Sequence, residues 1–201
     1  MLTWHHLIVR HTLLLPLLLS VAPAVAQDNV TPDPSLRLPR PPSTGLSPES
    51  KSFIEQAIGG ANAAIAAGQL ASRQADRESV RRLGWEIAAE QQSLRNALIS
   101  LARGKNYQPS GTVPPALTPL EQIATATSKG DFDRQYLATQ FQATHWLVAA
   151  YQSEMATTQD ADLRTFAATH LLPLRRHLDA IQKVAGDAGL QLEAPRNPPQ
   201  Y

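Results

Sequence analysis

Gly130-Asp131-Phe132-Asp133-Arg134-Gln135-Tyr136 marks the point where a proline-broken connection gives way to two long helical patterns that run to about Leu190. Glycine followed by aspartate is a helix entry, so a helix is predicted to open around Asp131. Phe132, Tyr136, Gln140, Ala143, Leu147 and Tyr151 then recur at steps of three and four, the period of one helix face. Asp160 is placed to cap the next helix, whose stripe is Leu163, Phe166, Ala167, His170, Leu174, His177, Leu178, Ile181 and Val184. Gly186 or Gly189 is expected to end it.

Upstream lie two further patterns. Ser47-Pro48-Glu49 combines an N-cap hydroxyl, a proline at the first helical position and an early acid. The helix that follows presents Phe53, Ala57, Ala61, Ala64, Gly68 and Ala71 on one face beside Ile54, Ile58 and Ile65, with Gly60, Ala64 and Gly68 forming a small-residue groove that admits another helix. Asp76 is the expected cap of the second helix, with Val80, Leu83, Ile87, Leu94, Leu98 and Leu101 as its stripe and Gly104 as its stop. Between the two pairs, Pro109, Gly111, Pro114 and Pro115 forbid regular structure. Thr118-Pro119-Leu120-Glu121 has the form of a capping box, predicting a short helix to about Ser128. The fold class is therefore all-α: two antiparallel helix pairs joined by a long crossover that carries a short helix. That is the single-crossover, ferritin-like kind of four-helix bundle.

The composition agrees. The chain has 201 residues, 43% of them hydrophobic but only 5% aromatic, and contains no cysteine. Disulfides, thiolate catalysis and cysteine metal sites are thereby removed. A formal net charge of +1 gives no bulk electrostatic basis for binding nucleic acid or an anionic membrane. At the N-terminus, Trp4, His5, His6 and Arg10 precede the apolar run Leu13 to Leu19, and Ala24-Val25-Ala26 follows. This reads as a secretory signal peptide over 1–26, cleaved before Gln27. The apolar run is shorter than the roughly 20 residues of a membrane span, and Pro16 interrupts it, which argues against a retained anchor. Residues 27–47 form a proline-rich lead-in, 48–190 the bundle and 191–201 a tail, with a periplasmic location expected.

Three segments carry a family resemblance. Phe53 and Ala57 with Gly68-Gln69-Leu70-Ala71, then Phe132-Asp133-Arg134-Gln135-Tyr136 as an FDxxY signature, then Leu171-Leu172-Pro173-Leu174-Arg175-Arg176-His177-Leu178, occur in order and at the right spacing. With these motifs the chain resembles the bacterial exported family known as domain of unknown function 4142, whose fold is a ferritin-like four-helix bundle. The resemblance implies a metal-binding set inside the bundle in typical members: a Glu in the first helix, an Asp-His pair in the second, and a His in each of the third and fourth. Carried onto this chain, those positions are Ala64, Glu90-Gln91, Thr144 and His177, so only His177 keeps its type. In the final motif the proline is displaced by one position.

A test independent of any family points the same way. Di-iron carboxylate bundles use Glu-x-x-His, but the residues three before His145, His170 and His177 are Gln142, Ala167 and Leu174. His170 and His177 lie seven residues apart, about 10 Å of helical rise, too far to share one ion directly. No catalytic constellation and no cofactor site is read from the chain. His177 is expected to be a hydrogen-bonded core histidine with Gln91 or Glu90 as partner, and Asp133 and Tyr136 to hold the start of the third helix. The reading that follows is a non-enzymatic accessory protein with a degenerate metal site. Two alternatives stand beside it: a metal-storing bundle with a reduced site of Glu86, Glu90 and His177, and an interaction module that self-associates through the small-residue face of helix one.

Overall fold

A computed structural model describes residues 45–123 and 131–193. The proposed signal peptide, most of the proline-rich lead-in, the expected extension of the short helix to Ser128 and the tail beyond residue 193 lie outside the described residues. The described residues form five α-helices: α1 (Pro48–Gln74), α2 (Glu78–Gly104), α3 (Thr118–Ile123), α4 (Phe132–Thr157) and α5 (Ala161–Asp187). No strand occurs among the described residues. A 3₁₀ turn, Pro115–Leu117, runs directly into α3. Thr118 itself has helical dihedrals, so the expected capping box does not form there. None of the described helices is long and apolar enough to cross a membrane.

The helix ends follow the residues that mark them. Ser47 accepts a hydrogen bond from Ser50 N with Pro48 at the first position, and Asp160 accepts from Asp162 N and Leu163 N. At the end of α2 the left-handed residue is Asn106 (φ 57°) rather than Gly104; it lets Tyr107 N bond to Ala102 O and Asn106 N to Arg103 O. Gly189 (φ 73°) closes α5 in the same way.

Two sets of end contacts define the helix directions. At one end, Asp133 of α4 accepts from Asp76 N (2.9 Å) and Arg77 N (3.0 Å), gripping the α1–α2 turn. Asp76 does not cap α2: the cap position is Arg77, which makes no side-chain cap bond. Asp133 therefore secures a different helix from the one it begins. Arg81 completes the turn by donating to the carbonyls of Ala75 (2.6 Å) and Asp76 (2.8 Å). At the opposite end, Ser50 Oγ donates to the buried Glu154 Oε1 (2.7 Å), and Lys105 Nζ lies 2.8 Å from carboxylate oxygens of both Asp160 and Asp162. Hence α4 runs antiparallel to α1, and α5 antiparallel to α4 and α2. The crossover travels the length of the bundle, as a single-crossover topology requires.

Glu55 on α1 fastens that crossover. Its carboxylate accepts from the Tyr107 hydroxyl (2.6 Å), Ser110 Oγ (2.6 Å) and the amides of Ser110 (2.9 Å) and Gly111 (3.1 Å). Burial opposes the charge, but these donors outweigh it and hold the Glu55 carboxyl below the usual carboxylate range. The same bond pushes the Tyr107 hydroxyl up to about 12. The strap lies so close that a Cβ on Gly59 would stand 2.0 Å from Thr112 O.

The small-residue face of α1 is used within the chain. A Cβ on Gly60 would meet Leu117 and Leu147 side chains at 2.8 Å, and one on Gly68 would meet Gly84 O at 2.5 Å. Ala64 is fully buried. The groove expected to admit a second chain is filled within this one, by α2, α4 and the 3₁₀ turn. Gly84 repeats the constraint from the other side, since its Cβ would lie 2.7 Å from Gly68 O and from Ala71 Cβ. At this crossing the two backbones touch.

Two stability predictions follow from this packing. An alanine in an open helix is favoured over glycine by about 1 kcal/mol, but Gly84→Ala should destabilise the protein by about 3 kcal/mol through overpacking, read as a lower urea midpoint at unchanged slope. Tyr151 is 1% exposed, its ring meets Phe53 edge-on at 5.0 Å, and its hydroxyl has no hydrogen-bond partner among the described residues. Tyr151→Phe removes an unpaired buried group and should raise stability by about 1 kcal/mol in the same assay.

Candidate functional site

Midway along the bundle the apolar core is interrupted. Gly68 lies against Gly84 and Ala88, Gly60 against Leu147, Tyr151 against Phe166 and Glu90 against His177. These pairings bring Ala64, Gln91, Gln140, Thr144 and His177 to one level. All five are buried, with His177 the most exposed at 7%. Thr144 Oγ1 donates to the Gln140 carbonyl (2.7 Å) and receives Gln140 Nε2 at 3.3 Å. Gln140 Oε1 and His177 Nδ1 are buried without a partner among the described residues. Its polar groups are amides, a hydroxyl and one imidazole, with no carboxylate among them. Among the described residues no three His, Asp or Glu side chains are placed to hold one metal ion. Amide and hydroxyl groups are also weak ligands for a transition metal beside imidazole and carboxylate.

His145, one residue after Thr144, faces a different way. It is half-buried with its ring edge-on to Phe141 at 4.6 Å. A single helical step of about 100° separates the two side chains, so the imidazole does not substitute for the threonine inside the bundle.

His177 forms its bond outward. Its Nε2 lies 2.8 Å from Glu90 Oε2, so Glu90 rather than Gln91 is the partner. The Glu90 side chain is 56% exposed and reaches across the α2–α5 seam. Gln91, on the next helical step, points into the core. Glu86 does not join this pair: it lies 3.8 Å from Arg82 and its side chain is 51% exposed. Of the three alternative ligands, the structure joins Glu90 and His177, with Glu86 near enough only to favour the imidazolium electrostatically.

This pair borders a cavity of about 340 Å³ between α2 and α5, whose wall includes Ala89, Ser93, Leu94, His170 and Pro173. The seam stays open because Ala89 and Ser93 are short where α5 passes. Pro173 sits inside α5 and has no N–H, so the helix lacks one main-chain bond beside the cavity. His170 is half-buried, 4.3 Å from the Phe166 ring. The volume falls near the lower end of the roughly 300–1,000 Å³ typical of small-molecule pockets, and the wall mixes apolar side chains with two imidazoles and a carboxylate.

Besides Glu55, two polar residues of the structure stand outside the sequence reading, Glu154 and Asn62. Glu154 is a buried carboxylate that continues the Leu147 and Tyr151 stripe by three residues, and that spacing was the available signal. Asn62 donates to the Gly111 carbonyl and accepts from Arg95, contacts with the crossover and with α2 that no local pattern announces. Tyr136, expected to hold the helix start through its hydroxyl, instead stacks 6.2 Å from Phe132 and its hydroxyl has no partner among the described residues. Burial raises the pKa of that hydroxyl and of Tyr151 well above the ordinary tyrosine value.

Burial lowers the pKa of His177, against the opposing pull of Glu90, and burial alone lowers those of His145 and His170. A histidine whose folded pKa lies below its unfolded value of 6.5 binds fewer protons in the folded state. Its contribution is complete above that pH and is lost as pH falls through the depressed value. Thermal stability should therefore decline on acidification from neutrality, before the carboxylates titrate. His177→Leu should make the decline shallower, with melting curves across pH 7 to 5 as the measurement.

Comparison with known proteins supports the architecture. A crystal structure of a DUF305 fragment from Deinococcus radiodurans is similar to this chain with a TM-score of 0.60 at 15% identity, over 71% of this chain and 99% of that one. At that identity the likeness concerns the fold alone. No match is found among curated proteins. Residues 36–184 match a family described as a domain of unknown function, and the chain belongs to that family, DUF4142.

Proposed function

We propose that this protein is an exported helical-bundle accessory protein that acts by binding rather than by metal-centred catalysis. The observation that carries this reading is the uncharged middle layer. Gln91, Gln140 and Thr144 occupy the level where a metal-holding bundle needs several carboxylates or imidazoles, and no three such groups converge among the described residues. The open α2–α5 cavity beside Glu90 and His177 offers the place for a small ligand. The signal-like segment 1–26 supports export to the periplasm. A rival reading, a metal-storing bundle, draws on the Glu90–His177 pair but lacks a third ligand, because Glu86 pairs with Arg82.

The test is elemental analysis of protein produced in medium supplemented with iron, zinc and manganese, without added metal during purification. Substoichiometric metal, unchanged in His177→Ala, is the expected result. Stoichiometric metal that disappears in that variant would establish the rival. Export is checked by fractionating the producing cells and sequencing the N-terminus. Recovery in the periplasm beginning at Gln27 is expected, and an intact Met1 on cytoplasmic protein would refute export.

A further inference from the structure

We propose a second, independent binding site for a small dianionic oxyanion, such as inorganic phosphate or a short dicarboxylate, beneath the crossover on the α1–α2 face. A cavity of about 150 Å³ lies there, with Arg95 and Arg103 of α2 and Asn62 of α1 in its wall and Gln108, Pro109 and Ser110 of the crossover over it. Arg95 and Arg103 are eight residues apart, about 12 Å of rise and about 80° around the helix axis. Both line the cavity, as does Ile99 between them in sequence.

Neither guanidinium is ion-paired with a carboxylate among the described residues. Arg95 is the notable one. It is partly buried, Nη1 donates to Asn62 Oδ1 (3.0 Å), Nη2 lies 3.5 Å from Asn96 Oδ1, and its Nε is buried without a partner. A half-buried arginine normally has a carboxylate beside it, because a desolvated cation held only by neutral oxygens is costly. The adjacent carboxylate, Glu55, already spends its oxygens on Tyr107, Ser110 and Gly111. Two uncompensated guanidiniums in one cavity wall match an anion with charge to share between them, through the planar, forked contacts that arginine makes to phosphate and carboxylate. The volume is about half the lower bound for drug-sized ligands, a size suited to a small anion.

The test is calorimetric titration of the full chain at low ionic strength, with sodium phosphate and sodium succinate in separate arms. Saturable one-to-one binding of either anion is expected, and the tighter of the two identifies the source of the oxyanion groups. Arg103 is exposed, so Arg103→Gln should fold normally and weaken binding about tenfold, as for one lost charge-assisted contact. Arg95→Lys should also weaken it although the charge is kept, because the forked geometry is lost. Arg175→Gln, an exposed change on α5, should leave binding unaltered. Absence of saturable binding in both arms overturns the proposal, as does equal weakening by Arg103→Gln and Arg175→Gln, which would indicate general charge attraction.

Discussion

Where α1 crosses α2, Gly68 and Gly84 bring the two main chains into direct contact, with Ala71 and Ala88 filling the flanks. Such close approach leaves no room for side chains, so the pair is held by dispersion over a flush surface rather than by interdigitating leucines. The remaining helices must accommodate that geometry. On the α1 side, α4 and the crossover close down tightly on Gly60 and Gly59. On the α2 side, where Ala89 and Ser93 are short, α5 is joined across a gap that Glu90 bridges to His177. The cavity and the tight seam are thus two results of one uneven cross-section.

The interior charge pattern follows the same economy. A metal centre requires several ionised groups to be desolvated together, and their attraction to the ion offsets that cost. Here the corresponding level holds amides, a hydroxyl and one imidazole whose carboxylate partner stays half in water. Burial then disfavours the imidazolium, and the histidine is kept neutral at physiological pH despite the adjacent carboxylate. Arg95 of α2 shows the reverse condition, a half-buried cation held by amide oxygens with no carboxylate beside it.

Much of the scaffold could be read directly from the residues. The helix stripes, the Ser47 and Asp160 caps and the crossover all rest on local rules of period and capping, and each appears in the structure. What failed depends on contacts between distant segments. Asp76 has the residue type of a cap, but the cap position falls one residue later on Arg77, and Asp133 from another helix holds the Asp76 and Arg77 amides. Gly60, Ala64 and Gly68 signalled a close helix neighbour correctly, but periodicity cannot say whether that neighbour belongs to the same chain. At the site, Glu90 and Gln91 were equally eligible as partners of His177. The choice was settled by one helical step, which turns Gln91 inward and leaves Glu90 free to reach over the seam. The Glu55 clasp and the Asn62–Arg95 contact join residues whose separation along the chain carries no signature.

The grip of Asp133 on the α1–α2 turn also bears on the order in which the protein assembles. The second helix has no side-chain cap of its own, and the amides of the turn that leads into it, those of Asp76 and Arg77, are held by a carboxylate more than fifty residues downstream. Until the chain has been made through the start of α4 and carried back along the whole bundle, the first hairpin lacks that fastening and its turn is free to fray. The two hairpins therefore cannot mature as independent halves: the earlier one is completed only when the later one docks, which ties a local turn to the slowest, most non-local closure in the fold.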